Sequence, residues 1–454
     1  WSPPHVLLLL GSVLVNYLIH LGLRRNCSRA LFAGGVVFNL LLLGVFKYAD
    51  FLIGNLNAFA DVEVQALGLV LPLAISFYTF QQISFLHDTY RGNQTAPDFK
   101  RYLLFVTFFP QLIAGPIVLQ RDTVPQFTLG VFAGKWAVNL GVGATLFGIG
   151  LFKKIVLADG IAPTANAVFT LADQGQAVPI EAAWIGALAY TFQIYFDFSG
   201  YCDMAIGLAR MFGIRLPINF NSPYRSLSIV EFWRRWHITL SRFLRDYLYI
   251  PLGGNRSGYL GSRGNLMITM LLGGLWHGAG WNFVIWGGLH GTFLMINHAW
   301  SSSPLRSAIK MLLPVYLHVS LCWLLTFVCV VFAWVFFRAE TFGGAMQMVS
   351  AMLGISNGPV SNWQTIIAGP AEVLTAMTAL LVVCVCLPNS IELTRAYNPV
   401  IRVWSEVGTP PVILKWMRWR PSHGWALVTA GACVVSILQI YRLNDLSDFI
   451  YFNF

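Results

Sequence analysis

The sequence predicts an all-α protein, a polytopic bundle of transmembrane helices, and three observations carry that reading. Hydrophobic residues make up 56% of the 454 positions and charged residues only 11%, less than half of the roughly 25% charge of a soluble domain. The mean hydropathy is +0.64, too high for a chain of this size to clothe itself in a polar shell. Apolar runs near the ~20 residues needed to cross a bilayer recur along the whole length. Together these exclude an ordinary cytosolic domain, a disordered chain and a secreted disulfide scaffold.

The elements follow in order. Residues 5–23 form a first span ending at Arg24, Arg25 and Arg29, and residues 31–46 lead to Asp50, Asp61 and Glu63 against one cation, Lys47. Residues 67–86 run toward Arg91, Lys100 and Arg101, and 103–119 with 131–152 are expected as a pair returning to Lys153 and Lys154. The stretch 159–181 holds Asp159, Asp173 and Glu181 with no cation, and 181–200 crosses to a long basic section. Further spans are expected at 314–337, 366–387 and 425–441, with Arg395, Arg402, Lys415, Arg418 and Arg420 between the last two. Alternating the crossings gathers nearly every cation cluster on one side and the acidic loops on the other. The net charge of +10 is therefore read as cytoplasmic loops obeying the positive-inside rule, not as a nucleic-acid surface. About ten membrane-embedded helices result, in one domain over residues 1–454. The chain opens on Trp1 and enters an apolar run at once, so further helices are expected ahead of it. No internal repeat points to an inverted-repeat transporter.

The seven cysteines are odd in number, lie mostly in apolar runs and make neither a CxxC pair nor a zinc spacing. They read as small core residues, and no metal is expected. The triplets Asn93-Gln94-Thr95 and Asn255-Arg256-Ser257 fit a glycosylation acceptor but fall on the basic side. Walker, dinucleotide-binding, HExxH and GxSxG motifs are all missing from the sequence.

The section 210–263 differs from the rest, with nine Arg against Glu231 and Asp246, and with Pro217, Pro223, Pro251 and Gly253-Gly254 dividing it. On a wheel of about 100° per residue, positions 231–249 place Phe232, Trp233, Trp236, Leu240, Phe243, Leu244, Tyr247 and Leu248 on one arc. Glu231, Arg234, Arg235, Arg242, Arg245 and Asp246 fall opposite. This predicts one amphipathic helix lying in the cytoplasmic interface. His237 falls within the apolar arc, either as a packed histidine or as a functional one.

A second stretch, GGLWHGAGWNFVIWGGLHG at 273–291, is uncharged and rich in glycine. Titratable groups inside spans are rare and costly, which favours a functional reading; neutral imidazole is also the usual general base near neutral pH. His277 is the candidate, because Gly273, Gly274, Gly278 and Gly280 let a helix break or a ligand approach. His290, beside Gly288 and Gly291, fits helix packing as readily. A third group, Asp197 and Asp203 at a span's end, reads as ion-paired with nearby Arg in preference to a proton path.

The order WRRWHITLSRFLRDYLYIPLGGNR (233–256) and GLWHGAGWNFVIWGGLHG (274–291) resembles the membrane-bound O-acyltransferase superfamily, in its alginate O-acetyltransferase branch. LPLAISFYTFQQISFLHDTYRG (71–92), FFPQLIAGPI (108–117), YFDFSGYCDMAIGLA (195–209), NFNSPY (219–224) and FIYFNF (449–454) add to the likeness. The resemblance implies interfacial and re-entrant helices around a tunnel through the membrane, with His277 matching the catalytic histidine and His237 its upstream partner. It implies acetyl-CoA as a cytoplasmic donor substrate, with no permanently bound cofactor, a periplasmic acetyltransferase partner and an exported polysaccharide acceptor, alginate or cellulose. It places the protein in a bacterial inner membrane. Arg234, Arg235 and Arg242 are expected to meet the donor's phosphates, since Arg binds phosphate in fork geometry, and Trp236, Trp276 and Asn282 to line the substrate path. Two other readings stand beside it: a D-alanyl or other acyltransferase of the same superfamily, and a transporter without chemistry.

Overall fold

In hydrocarbon every backbone N–H and C=O must find a partner within the protein, so apolar runs become helices. A computed structural model describes residues 3–92, 97–128, 136–256, 258–355, 363–367, 369–401, 417–442 and 449–450. The helices of the first half are α1 (Pro3–Arg25), α2 (Arg29–Ala60), α3 (Ile75–Tyr90), α4 (Phe99–Thr107), α5 (Trp136–Asp173), α6 (Ile180–Met211), α7 (Ile229–Arg235) and α8 (Ile238–Leu244). After them come α9 (Gly258–His277), α10 (Trp281–Ser302), α11 (Pro304–Leu312), α12 (Val315–Arg338), α13 (Phe342–Met352), α14 (Pro370–Cys386), α15 (Ser390–Thr394) and α16 (His423–Arg442). Among the described residues ten of these runs reach 16 residues or more, and strand-like pairing is limited to one β-bridge, Pro217 with Ile401. By length and composition α1, α2, α5, α12 and α16 suffice to cross a membrane, and α14 with Ser390–Tyr397, bent by 46°, makes a sixth. The molecule is an all-α membrane bundle.

The 32-residue α6 runs through its middle, buried along most of its length. It crosses α5 at two glycine pairs: a Cβ on Gly200 would collide with the Gly150 carbonyl, and one on Gly207 with that of Gly143. Small residues let membrane helices approach backbone to backbone. The hairpin of α9 and α10 uses the same device, where a Cβ on Gly274 would strike the Phe283 carbonyl and one on Gly287 that of Met270.

Four expectations from the sequence are corrected. Residues 61–74 are not helical, so the expected span 67–86 begins only at Ile75; Pro72 and the left-handed Asp61, Gly68 and Ala74 keep the backbone irregular. The Asp50 carboxylate instead accepts the N–H groups of Leu67 and Gly68, at 2.7 and 3.0 Å. Residues 103–119 do not form a span either. Helix α4 stops before Pro110, and the Gly115-Pro116 step leaves only single turns beyond it. Lys153 and Lys154 lie midway along the 38-residue α5, not at its end. Finally, the single interfacial helix expected over 231–249 is broken at Trp236-His237 into α7 and α8.

The lysines of α5 face inward. Lys153 pairs with Asp203 at 2.6 Å, and Lys154 with Asp159 at 2.9 Å and Asp197 at 2.7 Å. Asp197 and Asp203 are thus ion-paired, but with lysines of the neighbouring helix and not with Arg. Asp203 also accepts from the Ser390 hydroxyl at 2.7 Å, and Asp197 from the Ile450 N–H at 3.1 Å. Buried charges are tolerated only when paired and hydrogen-bonded in this way.

Gly287→Val should lower the thermal midpoint and the monodisperse yield in detergent, because overpacking a tight contact costs about 1–3 kcal/mol. Gly11→Ala, whose new Cβ would meet open space, should leave both unchanged.

Candidate active site

Helix α9 ends on His277, three residues (Gly278, Ala279 and Gly280) make no helix, and α10 starts at Trp281. Gly278 is required here, since the Phe283 ring lies where its Cβ would stand. The glycines around His277 therefore do produce a helix break. The second break lies at His237, which caps α8 in the left-handed conformation, φ 43° and ψ 53°. The loop 219–221 replaces the helical hydrogen bonds lost there. The Ile238 N–H donates to the Asn219 carbonyl at 3.0 Å, and the Asn221 N–H to the Arg235 carbonyl at 2.9 Å.

The two breaks face each other. The imidazole rings of His237 and His277 lie 6.3 Å apart, centre to centre, and both side chains are buried. Trp276 stands against both, 5.0 Å from His277 and 6.2 Å from His237. Edge-to-face contacts with Trp286 and Phe337, each at 5.1 Å, fix the His277 ring, and Phe198 does the same for His237 at 4.8 Å.

Asn219 sets the protonation of His237. Its Oδ1 accepts from the Thr239 N–H at 3.3 Å and from the Thr239 hydroxyl at 2.9 Å, while the hydroxyl itself accepts from the Ile117 N–H at 3.0 Å. A backbone N–H can only donate, so the amide atom facing Thr239 is oxygen. The same Oδ1 lies 3.1 Å from His237 Nδ1. Nδ1 therefore carries the hydrogen, and in the neutral ring Nε2 is the basic nitrogen. Burial of this residue, outside the spanning helices, holds its imidazole neutral by pushing it down to about 3.

A cavity of about 930 Å³ opens toward the face that carries Asp173 and Glu340. Gly278, Ala279, Gly280 and Asn282 form part of its wall together with Lys47, Gln193, Phe337 and Arg338. On the side of the basic section, Asn219, Thr239 and Phe220 are packed against His237 and buried.

The remaining expected residues scatter. Trp276 joins the two imidazoles, and Asn282 borders the cavity while donating to the Ala339 carbonyl at 2.9 Å. Trp236 lies further in, within an aromatic cluster of Phe220, Phe232 and Trp334. Arg235 is committed to Glu231 at 2.9 Å and to the Asn221 carbonyl, and Arg242 to Asp122 at 2.8 Å. Arg234 is exposed. His290 accepts from the Trp233 indole N–H at 3.3 Å and is stacked among Phe232, Trp233 and Trp286, a packed histidine. Sequence reasoning missed Asn219 and Lys47. Asn219 stood inside a quoted motif without a role, and Lys47 was the isolated cation at the end of an apolar run.

The family model described as MBOAT, membrane-bound O-acyltransferase family, matches residues 87–337. A peptidoglycan O-acetyltransferase of Helicobacter pylori is 44% identical over 385 residues, which is 78% of this chain and 71% of the relative. A probable alginate O-acetylase of Azotobacter vinelandii is 42% identical over 400 residues, covering 85% and 76%. A teichoic acid D-alanyltransferase of Streptococcus thermophilus is 28% identical over 238 residues, covering 50% and 57%. The chain belongs to the membrane-bound O-acyltransferase family and is an O-acyltransferase.

In the purified protein at pH 7, ¹⁵N imidazole shifts should report His237 as the Nδ1–H tautomer. Asn219→Leu should abolish that preference and lower acyl transfer by about 10–100-fold, the scale seen when a metal-bound histidine loses its orienting partner.

Proposed function

We propose that this O-acyltransferase takes acetyl from acetyl-CoA on the cytoplasmic side of a bacterial inner membrane and delivers it outward for O-acetylation of an exported polysaccharide, through a periplasmic acetyltransferase partner. The observation that carries the reading is the meeting of two buried imidazoles 6.3 Å apart, one of them directly before the helix break Gly278–Gly280 that walls the cavity. Two relatives above 40% identity carry names that specify O-acetyl transfer, to peptidoglycan in one and to alginate in the other. For this chain the acceptor class is an extracytoplasmic polysaccharide, with alginate and cellulose as the candidates. The basic loops mark the cytoplasmic side, so the cavity faces outward.

His277 is assigned as general base. It takes the proton of an acceptor hydroxyl as that oxygen attacks the thioester carbonyl, the carbon–sulfur bond breaks, and the proton passes to the departing thiolate to leave free CoA. His237, with its Nε2 basic and its Nδ1 held by Asn219, orients the thioester beside His277. Trp276, Trp286 and Phe337 enclose the His277 ring, which favours transfer over hydrolysis there. Of the three arginines, Arg234 is the one we assign to the donor's phosphates, because Arg235 and Arg242 are held by carboxylates and Arg234 is exposed.

Purified His277→Ala with labelled acetyl-CoA and the partner should lose transfer by about 10²–10⁴-fold, the range of general-base catalysis. Undiminished transfer removes His277 from the mechanism. Preference for a D-alanyl carrier in donor competition assigns the chain to the D-alanyl reaction instead, and solute flux without turnover would mark a transporter.

A further inference from the structure

We infer that Lys47, together with Tyr48, is a positioning residue that caps the carboxyl end of α9 and so fixes where His277 is presented. This rests on the assignment of His277 as the base. An α-helix leaves its last four carbonyls without intrahelical partners. In water solvent satisfies them, but α9 stops inside the bundle, where each orphan is costly. Lys47 Nζ donates to the Trp276 carbonyl at 2.5 Å and to the His277 carbonyl at 3.5 Å. The Tyr48 hydroxyl donates to the Leu275 carbonyl at 2.9 Å. Three consecutive carbonyls of the final turn are thus taken by two neighbouring side chains of α2.

The charge fits as well as the hydrogen bonds. The carboxyl end of a helix carries a partial negative charge, which favours a cation. The local structure of α2 explains how a lysine comes to face inward. Residues Gly44–Tyr48 form a π turn, which inserts an extra residue into the helical repeat and redirects the side chains that follow. An ammonium has three N–H donors. The Trp276 carbonyl makes the short contact, with the Ser76 hydroxyl at 3.3 Å and the His277 carbonyl at 3.5 Å within reach of the other donors. Lys47 borders the cavity, but its short contact is to the Trp276 carbonyl of the helix end. Its role is to act through the helix end that bears His277, not to touch the reacting atoms.

The test compares Lys47→Met, Lys47→Arg and Tyr48→Phe in the full chain, each in the wild-type and the His277→Ala background. Lys47→Met should lower kcat for acetyl transfer by about 10–100-fold with the donor KM unchanged. Lys47→Arg should restore part of that loss, and Tyr48→Phe should cost less than Lys47→Met. In the His277→Ala background Lys47→Met should cause no further loss, since residues acting as one unit are not additive. Hydrogen exchange gives a readout that needs no turnover: the amides of residues 278–282 should exchange at least about tenfold faster in Lys47→Met, with α5 and α6 unchanged. An unchanged exchange rate there, an equal loss in both backgrounds, or a rise in KM alone overturns the inference. A wild-type protein inert toward acetyl-CoA counts against the proposed donor, while the exchange experiment still decides the role of Lys47.

Discussion

A helix that ends inside a membrane protein has to find partners for its terminal carbonyls among protein groups. That single requirement organises the centre of this molecule. Helix α9 stops at His277 because Gly278 admits the Phe283 ring, and the stop is sustainable because Lys47 and Tyr48 of α2 reach the exposed carbonyls. The break at His237 meets the same requirement differently, with the backbone of residues 219–221 standing in for the missing helical turn. Both imidazoles therefore occupy positions where regular structure has been interrupted and repaired by a distant segment.

The interior is also organised by charge. Removing one member of a buried ion pair typically costs 3–5 kcal/mol; α5 and α6 share two such contacts, Lys153–Asp203 and Lys154–Asp197, and a third, Lys154–Asp159, lies within α5. These lie where glycines bring the two backbones together, so close packing and short ion pairs reinforce each other. The lysines again emerge from a π turn, Lys153–Ala158, as Lys47 does from Gly44–Tyr48. In both places one irregular turn places an ammonium within the apolar bundle.

Much of this was legible in the sequence. The helices α1, α12 and α16 and the break after His277 follow from hydropathy and from glycine chemistry. The pairing of His237 with His277 came from the family resemblance, not from spacing. What could not be read has identifiable causes. The stretches 67–74 and 109–119 are apolar enough to mimic spans, yet Pro72, Pro110 and the Gly115-Pro116 step deny them helical continuity. The break at His237 carries no glycine or proline of its own; it is imposed by hydrogen bonds from Asn219 and Asn221, which lie 14 or more positions away. Lys153 and Lys154 were taken as a membrane edge because charge usually marks one, and the carboxylates that draw two of their three contacts inward lie more than forty residues later. Asn219 acts through a single oxygen shared by three groups, an arrangement that only the folded chain creates.

The carboxylate of Asp197 receives the Ile450 N–H across 253 positions of chain. Ribosomes add about 5–20 residues per second, so roughly 10–50 s pass between the emergence of the two residues. During that interval α5 and α6 are already inserted and their ion pairs can form, while the last ligand of Asp197 has yet to be made. Assembly of the charged centre thus has a fixed final step, and the newborn bundle must survive in the bilayer without it.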